Sequence, residues 1–179
     1  PNTGIRIFSQ LSPKLGTSAI MVQEIAPKML SAFVKEFDKY ALWSVCEATD
    51  GAVLEAGVCY IASNEYSLTV AINQQDQAVI RIEERVKKPL NKLFSSASEL
   101  FGAHTIGVLL TGLGDDGSNG FKHIKEKSGI TIAQESNTCV YPNLTECAIE
   151  RGLVDKVFLD KYLAEGIEAS IKEQALRLS

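Results

Sequence analysis

The stretch Ile106-Gly107-Val108-Leu109-Leu110-Thr111-Gly112-Leu113-Gly114-Asp115-Asp116-Gly117 decides how the chain is read. It opens with the strongest strand signal in the sequence, a pure run of Ile, Gly, Val and Leu over Ile106–Leu110. Gly112, Gly114 and Gly117 allow tight turns and leave backbone N–H groups uncovered. A helical pattern follows over about Ser118–Lys127. Open α/β sheets bind ligands at the carboxyl ends of their strands, so this loop is the default candidate site. Asp115 and Asp116 lie just before the helix, where either carboxylate can serve merely as a cap on free N–H groups.

Outward from the loop, strands and helices alternate. Ile130–Ala133 reads as a strand, and Thr145–Gly152 and Asp160–Leu176 as helices. Upstream, Leu90–Phe101 reads as a helix, and Ala19–Val22 as a buried strand whose lack of alternation suggests cover on both faces. Pro27–Tyr40 is a helix with Pro27 in its first turn and a core stripe of Met29, Leu30, Phe33, Val34 and Phe37. Between these lie four short strands, Trp43–Glu47, Val58–Ala62, Ser67–Ile72 and Ala78–Glu83. Their turns fall at Asp50-Gly51, Ser63-Asn64 and Asn73–Gln77, and their close spacing favours antiparallel hairpins. The mixed charges from Arg81 to Lys88 read as a solvated face. The expected fold class is α/β: a doubly wound, mostly parallel sheet with helices on both faces and a central antiparallel hairpin insertion.

Composition narrows the function. A length of 179 residues with 45% apolar content suits one domain, 1–179, with a sizeable core. The net charge of −4 argues against a nucleic-acid partner. No apolar run approaches the ~20 residues that span a bilayer, and no signal segment opens the chain, so no membrane insertion is expected. Cys46, Cys59, Cys139 and Cys147 form no Cys-x-x-Cys pair and read as reduced, packed thiols, which points to the cytoplasm. His104 and His123 lack ligand-like spacing and read as surface residues, so neither a metal nor a cofactor is expected. The first residue is Pro1, as expected of a piece of a longer protein.

A second functional class fits the same loop. Gly112, Gly114 and Gly117 spell the G-x-G-x-x-G dinucleotide fingerprint, and Glu135 follows at roughly the ~20-residue spacing of a ribose-binding acid. Electrostatics argues against it, because Asp115 and Asp116 occupy the place where a pyrophosphate needs free N–H groups, with no lysine or arginine in the loop to offset them.

In combination the motifs resemble the bacterial chemotaxis protein-glutamate methylesterases (CheB). That family carries a strand ending in Leu-Thr-Gly-Met-Gly-Asn-Asp-Gly, a helix, and a strand ending in Ala-Gln. Leu110–Gly117 and Thr131–Gln134 match these almost residue for residue. Val22-Gln23-Glu24-Ile25-Ala26-Pro27 resembles the family's Val-Gln-His-Met-Pro-Pro, and Gly57–Ala62 its Gly-x-x-Tyr-Ile-Ala. Cys139-Val140 and Ala148-Ile149 match a later loop and helix, so the similarity spans nearly the whole chain.

The resemblance implies a Ser–His–Asp triad hydrolysing glutamyl methyl esters on chemoreceptor helices. The serine attacks the carbonyl, the histidine takes its proton, the aspartate orients the imidazole and backbone N–H groups hold the oxyanion. Asp116 then matches the triad aspartate. The oxyanion loop is Gly112, Leu113 and Gly114, with Leu113 in place of the family's methionine. The histidine position holds Glu24, whose carboxylate is too weak a base for the task at neutral pH. The family serine lies in Ser-Thr-Gly-Gly-Pro. An ungapped count sets Pro1 on that proline and puts Ile7, Phe8 and Leu11 on a helix's apolar positions; on this count the domain is expected to lack the family's first strand and nucleophile turn. A gapped one makes Asn2 the replacement. The family's Pro-Ser-Val-Asp turn has become Pro89-Leu90-Asn91, and its Phe-Gly-Met-Pro loop Pro142-Asn143-Leu144-Thr145, so a substrate loop is expected at Tyr141, Pro142 and Asn143.

The expected function is a methylesterase domain of a chemosensory system with a degenerate triad and impaired or absent hydrolysis. It would act by binding chemoreceptor cytoplasmic helices or a receiver domain. The alternatives are an active ester hydrolase with an altered site and, more remotely, a dinucleotide-binding enzyme. The resemblance also implies that Glu24 and Asp116 are neighbours. With Glu24 swung to solvent or to a basic side chain, Asp116 would cap N–H groups of its own loop. A further alternative is a hard cation such as Mg²⁺ or Ca²⁺ held by the carboxylates of Glu24, Asp115 and Asp116.

Overall fold

The apolar runs become the strands of two parallel sheets in the computed structural model of the protein, which describes residues 2–179. The assignment of Pro1 to the family proline, and the side chain of Asn2, lie outside the described residues. The contacts divide the chain into two units, Pro1–Lys87 and Lys88–Ser179.

In the first unit, helix α1 (Asn2–Gln10) is followed by β1 (Ala19–Gln23), α2 (Pro27–Asp38), β2 (Ser44–Glu47), β3 (Val58–Ser63), β4 (Tyr66–Ile72) and β5 (Ala78–Glu84). Ile7, Phe8 and Leu11 are buried. Phe8 meets Trp43 edge-on at 5.3 Å, and the Trp43 indole N–H donates to the Leu11 and Ser12 carbonyls at 3.1 and 3.0 Å. The end of α1 and the residues after it are thereby tied to Trp43, which leads into β2. The three-stranded sheet runs β1-β3-β2 with both pairs parallel. This corrects two expectations. First, β2 and β3 do not form a hairpin. The connecting segment 48–57 crosses over and hydrogen-bonds to β5: Gly51 N–H donates to Ile80 O, and Ile80 N–H to Ala52 O. The Tyr60 hydroxyl closes the same segment by donating to Val53 O at 2.7 Å. Second, β1 is not buried: all five of its residues are half-buried, since it lies at an edge of its sheet while central β3 takes the burial. The antiparallel pair is β4 and β5. Its turn is the expected Asn73–Gln77, where the Asn73 side chain accepts from the Gln75 and Gln77 N–H groups.

The second unit carries α3 (Pro89–Phe101), β6 (Ile106–Leu109), α4 (Ser118–Glu126), β7 (Ile130–Gln134), α5 (Asn143–Glu150), β8 (Lys156–Phe158) and α6 (Leu163–Arg177). Its sheet runs β6-β7-β8, all parallel, with every residue of β7 buried. Strand β8 was not anticipated: three residues with a lysine give too short a run for periodicity to register. Leu109, Phe121, Ile124 and Ala148 form a buried cluster joining β6, α4 and α5. Gly107 makes this packing possible, because a Cβ there would stand 2.5 Å from the Ile124 side chain. The α/β class, with parallel sheets, helices and a central antiparallel pair, is as expected. Among the described residues, no helix is long and apolar enough to cross a membrane.

Candidate functional site

The glycine-rich loop leaves the carboxyl end of β6 and enters α4, the position the sequence assigns it. Gly117 at φ +100° forms the last step, and an added Cβ would stand 2.7 Å from a Leu109 methyl. Only glycine fits both demands.

The structure brings together the residues that the sequence reading expected to form an oxyanion loop and a substrate loop. Gly112 N–H donates to Tyr141 O at 2.8 Å, Tyr141 N–H donates to the Thr111 hydroxyl at 2.8 Å, and Leu144 N–H donates to Gly112 O at 3.3 Å. The Gly112 N–H is therefore occupied. The Leu113 side chain is exposed, and neither Leu113 nor Gly114 donates its N–H to a described residue. Pro142 occupies the N-cap position of α5 without a side-chain cap bond and Asn143 opens the helix, so the segment expected as a substrate loop is a helix start, and Leu144 and Thr145 are buried in that helix.

The two aspartates divide their work. Asp115 pairs with Lys88; the loop itself carries no lysine or arginine, as read from the sequence, and the cation that offsets it comes from the residue preceding α3. Asp116 accepts from Leu90 N–H at 2.8 Å and Asn91 N–H at 3.0 Å. It does cap backbone N–H groups, but those of α3, whose own cap residue Lys88 supplies no side-chain bond. The expectation that it would cap its own loop is thereby corrected. Helix α4 is capped from outside too: the Asn91 side-chain oxygen accepts from Gly117 N–H at 2.9 Å and Gly120 N–H at 2.8 Å.

This capping bears on the dinucleotide reading. A pyrophosphate needs free N–H groups at the helix start, and two at α4 are taken by Asn91. Glu135 accepts from Asn137 N–H at 2.9 Å, an occupation for the carboxylate that the ribose reading did not foresee. Occupied N–H groups replace uncompensated charge as the objection. Sequence reasoning noted Asn91 only as part of the altered Pro89-Leu90-Asn91 turn and missed its role as the cap of α4.

Glu24 belongs to the first unit, just after β1. It is exposed and lines a shallow hollow of about 450 Å³ with Ile25, Ala26, Asn64, Glu65 and Arg85. The Arg85 Nε donates to Asn64 O at 2.9 Å. His104 and His123 are exposed; His123 lies 3.7 Å from Glu126. The four cysteines are free. Burial pushes the Cys59 thiol far up and raises those of Cys46 and Cys139. Among the described residues, no group of three or more His, Cys, Asp or Glu is placed to hold a metal ion.

Parallel strands with a glycine-rich acidic loop at their carboxyl end define an α/β domain of the loop-site class. Within that class the comparisons are specific. The model of the CheB methylesterase family matches residues 1–167, and the chain belongs to that family. It is 33% identical over 162 residues to a protein-glutamate methylesterase/protein-glutamine glutaminase of Pyrococcus horikoshii, covering 88% of this chain and 44% of that one. It is 28% identical over 177 residues to the protein of the same name from Halobacterium salinarum, covering 96% and 51%. The chain thus spans about half the length of these curated relatives. The crystal structure of the Thermotoga maritima CheB methylesterase catalytic domain superimposes with a TM-score of 0.87 at 26% identity, covering 94% of this chain and 92% of that one.

Proposed function

We propose that this chain is the methylesterase-type domain, a single domain over 1–179, of a chemosensory signalling protein in the cytoplasm. Its Ser–His–Asp triad is degenerate, and it acts by binding a chemoreceptor's cytoplasmic helices or a receiver domain rather than by efficient hydrolysis. The observation that carries the reading is Glu24, which stands at the family's histidine position in the Val22–Pro27 motif. A carboxylate there cannot take the serine's proton effectively at neutral pH. Asp116 holds the triad-aspartate position, and its carboxylate has a second occupation at the N-terminus of α3, consistent with its persistence where no histidine needs orienting. Leu113 and Gly114 keep the place of the oxyanion donors, with Tyr141, Pro142 and Asn143 beside them as the substrate segment.

The test is release of methanol from a methylated chemoreceptor, together with ammonia release from its glutamine side chains, since the relatives' names carry both activities. Negligible turnover with retained receptor binding by calorimetry is the expected result. Loss of a triad member typically costs several orders of magnitude in rate. Robust turnover by this chain would establish the alternative, an active ester hydrolase with an altered site.

A further inference from the structure

We propose that Asn91 and Asp116 form a reciprocal helix-cap lock that fixes the Gly112–Gly117 loop against the start of α3, independently of any triad chemistry. Each helix start lacks a capping side chain of its own. Each receives one from the other's neighbourhood: Asp116, two residues before α4, accepts from Leu90 and Asn91 of α3, and Asn91 of α3 accepts from Gly117 and Gly120 at the start of α4. Four otherwise orphaned N–H groups are satisfied by two side chains: the Asp116 carboxylate takes Leu90 and Asn91 of α3, and the Asn91 amide oxygen takes Gly117 and Gly120, the first of which follows Asp116 directly. Pro89 at the first position of α3 has no N–H to satisfy, so the carboxylate meets the next two donors. Gly120 permits the close approach, since a Cβ there would stand 2.6 Å from the Phe94 Cβ of α3. The Lys88–Asp115 pair adds a third tie between the same two segments.

The lock makes Asp116 a positioning residue and Asn91 its partner. Their side chains hold the loop that presents Leu113 and Gly114, and neither role requires a histidine. Because each cap depends on the placement of the other helix, loss of one side chain releases both helix starts.

Site-resolved amide hydrogen exchange by NMR tests this on the full chain. Asn91→Ala is expected to speed exchange about five- to tenfold at Gly117 and Gly120, and also at Leu90, whose acceptor is untouched by the substitution. Asp116→Ala is expected to produce the same pattern in reverse, reaching Gly120. Amides of β7 should be unmoved in both, which separates loop release from general destabilisation. Asn91→Asp, which keeps an acceptor oxygen, should restore slow exchange at Gly117 and Gly120. Acceleration confined to the amides that lost their own acceptor, or equal acceleration in β7, would overturn the lock. If either alanine variant does not fold, the exchange double variant Asn91→Asp/Asp116→Asn decides: slow exchange at Gly117 and Gly120 supports the lock, and fast exchange there sinks it.

Discussion

Gly117 concentrates two constraints in one residue, a left-handed backbone at φ +100° and a Cβ position already filled by Leu109. Gly117→Ala should therefore cost about 1–3 kcal/mol from the backbone conformation alone, more once the clash is added, and urea titration measures it. Asp155 sets a pH dependence. Partial burial pushes its carboxyl up, but hydrogen bonds from Lys125 and Thr131 outweigh this and hold it below the ordinary carboxylate range. A carboxyl lowered in the folded state stabilises above its unfolded value of about 3.9, and that contribution is lost as pH falls through the lower folded value. Asp155→Asn should thus destabilise by about 1–2 kcal/mol at pH 7, reduced from a fully buried case by solvent screening. The difference from the parent should shrink below pH 4 in the same titration. Cys59, buried in β3, should resist a thiol reagent until the protein unfolds.

At the level of elements, Phe121 fills the centre of the cluster formed by Leu109, Ile124 and Ala148, and its ring lies 5.3 Å from that of Phe94. Phe121→Ala is expected to cost about 3–5 kcal/mol, read as a drop in the urea midpoint. Hydrogen exchange should be slowest in β3 and β7, the central strands of their sheets. The sequence announced most of these elements because long apolar runs and helical stripes carry their own periodicity. It misjudged the pairing of β2 with β3, because spacing along the chain says nothing of a crossover whose hydrogen bonds go to a third strand. The glycine loop was legible through its motif, and so was Asp116 as a capping carboxylate. The identity of its partners was not, since Leu90 and Asn91 lie 26 and 25 residues earlier and only the packing of α3 on α4 joins them.

Calorimetry with NAD or FAD should detect no tight complex, because the α4 start is already capped by Asn91; a micromolar dissociation constant would return Glu135 to the ribose-binding role. Parallel pairing has one more consequence, in time. Val22 waits for Ala62, forty residues later, whereas Ile106 meets Ile130 after twenty-four. At synthesis rates of about 5–20 residues per second, β1 waits roughly 2–8 s for β3, its partner, and β6 waits little more than half as long for β7. The first sheet is thus the one whose unpaired strand stays longest within reach of chaperones and of neighbouring nascent chains.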